Sequence, residues 1–399
     1  MLRLKHNFAG SMSHEANAVM QCLRVYLSPG EDAHVDAVLK QQLDWQELEE
    51  RAESLRVAPI VEWVLLQHAG HLAPPEVLQR WNERLTRLAR KNLLWLQEWQ
   101  RLLQAFDQAG IPAISFKGPA LALTAYRNLG LREFHDLDFL IHPQDVVRAR
   151  KVLLEEGYSL WSSVVGDTAE ALLCSKNRQL CFTSDTRGTA VDLHWGLLHE
   201  MFSFRLDVND IFDAARIERY EEGEFFSISP EHLLLYLCGH GMKNCWSNLS
   251  QLCDVATLIQ TEDKIEWNRC LGLAEEDGCN SLLNHTLLLC ERILEIDLPE
   301  TVKQRCRQDK IALAISKTAE KFLCLRGENR PGYSLALKYH LAFAMTLRDR
   351  VRLVFFRVFA PSELDWHHVK LPRCLFALYY LLRPLRFLQE QTSRLIRSS

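Results

Sequence analysis

The chain has 399 residues, 48% of them hydrophobic and 25% charged, with a formal net charge of −4. These are the proportions of an ordinary globular protein with material for two or three domains. No apolar run reaches the eighteen or so residues of a membrane-spanning helix, which excludes an integral helical membrane protein. The start, Met1 to Asn7, leads into no apolar segment, so no secretory signal is expected. Twelve cysteines are scattered without a C-x-x-C pair. They read as reduced, packed thiols of a cytoplasmic protein.

Residues 1–107 read as helical. Leu43, Leu48, Ala52, Leu55 and Val57 recur at helical spacing, and Asp44 is placed to cap a helix with Glu47 completing a capping box. Pro74-Pro75 breaks the chain, and an amphipathic helix then runs from Glu76 to Gln108 with Trp81, Trp95 and Trp99 on its core side. From Gly110 the pattern changes. Residues 111–116 form a short strand closed by Lys117-Gly118-Pro119 and followed by a helix over 120–126. A strand at 137–141 follows, then a helix from Pro143 that Gly157 ends, and strands at 178–183 and 189–195 joined through Asp185 to Gly188. Ser229-Pro230 starts a return to helices at 230–242, 246–261, 279–295 and 309–325. Four segments result: a helical N-terminal region at 1–107, an α+β core at 108–228, a helical region at 229–347 and a basic-apolar helical tail at 348–399. That tail holds ten Lys/Arg against four Asp/Glu, so the first 347 residues carry −10. Its stretch 371–399 suits packing on the helical body, with peripheral membrane or protein contact as the alternative.

The chemistry centres on Asp136-Leu137-Asp138. Residues i and i+2 of a strand point the same way, so the two carboxylates project together while Leu137, Phe139 and Ile141 serve the core. Like charges held that close call for a cation, and paired hard oxygen donors suit Mg²⁺. Asp192, in a strand with apolar neighbours Val191 and Leu193, supplies a third carboxylate to complete a metal shell and take a proton from an attacking hydroxyl. Its alternative is an ion pair with Arg178 or Arg187. Lys117-Gly118, where a strand turns into a helix, is placed to meet phosphate, or is simply a turn. Arg132 either pairs with Asp136 or Asp138 or holds a phosphate. His194 either orients Asp192 or is a satisfied strand histidine. His240, Lys243 and Trp246 follow at helical intervals, the first two on one face fit to contact nucleotide or acceptor. Asp254 reads as a helix cap or bridge.

The blocks Phe116-Lys117-Gly118-Pro119-Ala120-Leu121, Gly130-Leu131-Arg132 with Asp136-Leu137-Asp138-Phe139-Leu140-Ile141, Val191-Asp192-Leu193-His194-Trp195 and His240-Gly241-Met242-Lys243-Asn244-Cys245-Trp246 resemble a poorly characterised bacterial nucleotidyltransferase-like family of the polymerase-β superfamily. Similarity at Asp44-Trp45 and in Pro361 to Pro384 extends it over nearly the whole chain. The resemblance implies a minimal nucleotidyltransferase fold embedded between helical regions, with Asp136 and Asp138 as shared metal ligands and Asp192 as the third. It implies two Mg²⁺ ions, with Mn²⁺ as the alternative, and a nucleoside triphosphate, ATP being the expected one. A nucleoside monophosphate would pass by a two-metal mechanism to a hydroxyl-type acceptor on a small molecule, peptide or protein. No template nucleic acid is expected, because no strongly basic groove accompanies the core. Where the superfamily usually carries Gly-Ser, this chain has Lys117-Gly118-Pro119. The competing expectation is a catalytically inactive nucleotide-binding or scaffold protein that keeps the fold.

Overall fold

The computed structural model describes residues 13–28, 43–68, 70–161, 178–202, 204–221, 223–261, 265–324, 333–344, 346–360, 365, 369, 371, 373–386 and 389. The chain's first twelve and last ten residues, including parts of the expected tail, lie outside the described residues.

Helix α1 (His14–Leu27) is capped by Ser13, and α2 (Trp45–Ser54) by Asp44, whose carboxylate accepts from the backbone N–H of Gln46 at 3.0 Å and of Glu47 at 3.1 Å. The capping box does not close. Glu47 instead holds Arg51 one turn on, and the Asp44 N–H goes to Glu15 Oε1 at 3.2 Å. Helices α3 (Ala58–His68) and α4 (Pro75–Gln108) follow, the latter close to its predicted limits. Trp81, Trp95 and Trp99 are all buried, as an amphipathic helix against a core requires.

The mixed sheet comprises β1 (Ala113–Ser115), β2 (Leu137–Ile141), β3 (Ser159–Leu160), β4 (Gln179–Ser184), β5 (Thr189–His194), β6 (Arg216–Tyr220) and β7 (Gly223–Ser227). They run in the order β3-β4-β5-β2-β1-β7-β6. β2 lies parallel to β5 and β1 parallel to β7, while every other neighbouring pair is antiparallel. Three short elements complete this part: α5 (Pro119–Thr124), α6 (Val146–Glu155) after a 3-10 turn at Pro143–Asp145, and α7 (Val208–Asp213). Beyond it come α8 (Pro230–Lys243), α9 (Leu249–Thr261), α10 (Trp267–Glu276), α11 (Asn280–Leu294), α12 (Glu300–Gln308), α13 (Lys310–Cys324), α14 (Tyr333–Ala342) and α15 (Leu347–Val358). The protein is thus an α+β core flanked by helical regions, as its periodicities predict.

Both faces of the sheet are covered. Leu137, Phe139, Ile141, Val191 and Leu193 pack with Trp99 and Phe106 of α4 and with Val146 and Leu153 of α6. On the other face Ile114, Phe116 and Leu140 join a larger apolar body with α8, α9 and α11, to which α1 and α3 also contribute. Every residue of β2 is consequently buried, Asp138 included. No described helix is long and apolar enough to cross a membrane. In the tail, Leu353 and Tyr379 are buried, whereas Val351, Leu381 and Leu385 stay exposed, and Arg386 pairs with Asp365 at 2.6 Å.

Candidate active site

Gly118 adopts φ +51 and ψ −127, a conformation open essentially to glycine alone. A Cβ there would lie 3.0 Å from the Asp136 carbonyl oxygen, so the turn after β1 rests on the backbone entering β2. Lys117, at this turn, sends its ammonium inward to Asp138 Oδ1 at 3.2 Å. It lies 5.6 Å from the Tyr236 ring centre and 6.0 Å from that of Phe116. The expected phosphate cradle therefore differs in two respects. The lysine charge is spent on Asp138, and α5 is a six-residue helix whose first position, Pro119, has no N–H.

Parallel pairing of β2 with β5 sets Asp138 beside Asp192. Asp138 Oδ1 also receives His194 Nε2 at 3.1 Å, while Asp138 Oδ2 and His194 Nδ1 are buried without a hydrogen-bond partner. Asp192 Oδ2 accepts from Gln179 Nε2 of β4 at 3.1 Å. Ligand-capable atoms of Asp138, Asp192 and His194 all lie within 4.8 Å of one another. Two carboxylates and an imidazole gathered this closely, one carboxylate oxygen buried and unpartnered, could hold a divalent cation. Asp136 immediately precedes β2 and stands outside that group of three, half-buried.

Electrostatics separates the two aspartates. Burial alone would raise the Asp138 pKa, but Lys117 and His194 outweigh it and hold the carboxyl well below its usual range. Asp136 is pushed up to about 6, first by the charge of Asp138 and then by burial, with Lys117 opposing. Burial lowers His240, and Lys117 and Lys243 add to the effect. Lys243 reaches solvent at the rim, and its pKa is lowered by burial of the rest of its surroundings and by Lys117. Both residues of α8 thus sense the charge of Lys117.

Other expectations are corrected. Arg132 pairs with neither Asp136 nor Asp138. Its guanidinium grips Asp254 of α9 in two contacts of 2.9 and 3.0 Å and donates to the Gly118 carbonyl at 3.4 Å. Asp254 also accepts from the Tyr126 hydroxyl at 2.7 Å, which makes it a bridge between helical region and core. Asp192 meets neither arginine offered to it, since Arg178 pairs with Glu200 and Arg187 with Glu98. His194 engages Asp138 rather than Asp192. Trp246 is not on the helix with His240. The chain leaves α8 at Lys243, passes through positive φ at Cys245 and Trp246, and folds the indole back so that a Cβ on Gly241 would come within 2.3 Å of it.

From behind, α4 steadies the loop into β2. Asn92 Nδ2 donates to the Arg132 carbonyl at 2.9 Å, Lys91 donates to the Phe134 carbonyl at 3.0 Å, and Trp99 Nε1 donates to Ser115 Oγ of β1 at 2.8 Å. Gln179 and Tyr236 carry no recognisable motif, and only the sheet register and the docking of α8 bring them to the site.

A family of uncharacterised nucleotidyltransferases matches residues 41–295, well over half of the chain and all of this site. The protein belongs to that family. No curated protein matches the chain. Membership of this family supports nucleotidyl transfer as the general chemistry and implies a nucleoside triphosphate and a divalent metal.

Proposed function

We propose that the protein moves a nucleoside monophosphate from a nucleoside triphosphate, ATP being the first to test, onto a hydroxyl-type acceptor and releases pyrophosphate. The observation that carries this reading is the convergence of Asp138, Asp192 and His194, with one Asp138 oxygen buried and unpartnered, within a nucleotidyltransferase family. These three residues, with Asp136 beside them, would hold a divalent cation, Mg²⁺ or Mn²⁺. Such an ion, when bound, screens the charge that builds on the transferring phosphoryl group. Asp192, half-buried and oriented by Gln179, is positioned to take the proton of the acceptor hydroxyl. Lys243 at the rim supplies positive charge to the triphosphate, and Arg132 fixes the Gly118 turn rather than touching phosphate.

The test is incubation with each labelled nucleoside triphosphate, Mg²⁺ or Mn²⁺ and a metabolite extract. The expected result is an acceptor heavier by one nucleotide, absent with Asp138→Asn or Asp192→Asn. Failure with all four triphosphates, alongside metal-dependent triphosphate binding, would favour a nucleotide-binding scaffold. The Lys117-Gly118-Pro119 turn is the feature that makes that second reading worth testing.

A further inference from the structure

The donor set fits one divalent cation better than two. Two ions bridged through both oxygens of Asp138 would each need one of them. Oδ1 is already taken by Lys117 at 3.2 Å and His194 at 3.1 Å, which leaves Oδ2 as the single unpartnered oxygen. Asp136, the second carboxylate of the sequence pair, stands outside the compact group of three.

We propose that this site holds a single divalent cation and that the Lys117 ammonium takes the place of the second. The inference rests on the metal-dependent reading above and sharpens it. Lys117 is not a loose surface side chain that would swing away when an ion arrives. Its side chain is only 13% exposed, and the rings of Phe116 and Tyr236 flank it, themselves 5.1 Å apart between centres. The turn that carries it is fixed by the glycine conformation at Gly118 and by Arg132 on the Gly118 carbonyl.

The charge balance points the same way. Asp136, Asp138 and Asp192 lie at the site as carboxylates, and among the described residues Lys117 is the ammonium that pairs with one of them, Asp138. Arg132 is neutralised by Asp254, and Lys243 lies at the rim. A single dication closes the remaining deficit. Before nucleotide brings its own negative charge, a second would leave a surplus of positive charge on a sheet face covered by α8, where screening is weak.

Mn²⁺ alone, counted by equilibrium dialysis and by electron paramagnetic resonance, provides the test. The wild-type chain is expected to bind one ion with no Mn–Mn coupling. Lys117→Met, isosteric but neutral, is expected to bind two, with coupling between them, and Lys117→Arg to bind one again. Lys117→Gln serves as the neutral variant if the Met chain fails to fold. Two ions in the wild type, or one in the folded neutral variants, would overturn the inference and leave the metal reading standing. No ion in the wild type would remove the metal reading itself.

Discussion

Asp138 is the residue on which the site turns, because its two oxygens have different fates. Oδ1 is held by Lys117 and His194, and Oδ2 is buried without a hydrogen-bond partner. A buried oxygen without a partner costs free energy unless function compensates for it. Asp138→Asn should therefore lower nucleotidyl transfer by at least about 10²-fold. It should also cost about 3 kcal/mol of stability by stranding the buried Lys117 ammonium, as read by urea unfolding. A loss of transfer with stability unchanged would refute the pairing described here. Gly118→Ala tests the adjacent turn. At φ +51, with the Asp136 carbonyl oxygen 3.0 Å from the new methyl, the variant should lose about 1–3 kcal/mol. That Asp138 turns away from Leu137 and Phe139, and Asp192 from Val191 and Leu193, was legible in the sequence, because alternation along a strand is a local property, whereas Asp136 lies before β2 and outside the group that His194 joins. The roles of Lys117, His194, Gln179 and Arg132 were not legible, since each partner lies on another strand or helix and depends on register and docking.

At the scale of elements, long helical patterns and their caps were readable from spacing alone, as α4 and the Ser229 start of α8 illustrate. The hairpin β6–β7 escaped because Arg216-Ile217-Glu218-Arg219-Tyr220 is an edge strand with little apolar signal. Helix–helix pairing was equally hidden, and it creates two testable tensions. Glu62 in α3 is buried at 2% exposure, and Arg84 of α4 approaches to 2.9 Å but is shared with Glu49 and Glu53. Neither Glu62 oxygen completes a hydrogen bond, so burial prevails and, with Glu49, lifts its pKa from 4.5 to about 8. The folded chain then keeps a proton that the unfolded chain releases, and stability falls as pH rises across that window. Glu62→Gln should remove this slope and make the protein more stable near pH 9 by about 2 kcal/mol, as measured in parallel denaturation curves. The Arg132–Asp254 bridge works in the opposite sense. Asp254→Ala leaves a buried guanidinium unpaired and should destabilise by about 3 kcal/mol, while Lys151→Ala, at a pair with Glu155 whose side chains are 77% and 64% exposed, should cost far less.

The whole molecule is more interlocked than its segment boundaries suggest. Ile114, Phe116, Tyr126 and Leu140 of the α+β part share one apolar body with residues of α1, α3, α8, α9 and α11. An excised fragment of residues 108–228 exposes that surface, and circular dichroism with thermal melting should show no cooperative transition. A sharp melt would establish the segment as an autonomous domain. Metal binding should act on the intact chain as a unit, because an ion that binds only the folded state raises its melting temperature. The order of strands also governs how the chain emerges during synthesis. β1 pairs with β2 soon after both are made, but its other edge waits for Gly223–Ser227, roughly a hundred residues later. At ribosomal speeds of about 5–20 residues per second, that edge stays open for on the order of ten seconds. A pause in translation within 142–222 therefore exposes an unpaired template on the nascent chain, and chaperone capture in that interval protects it from pairing with a neighbouring copy.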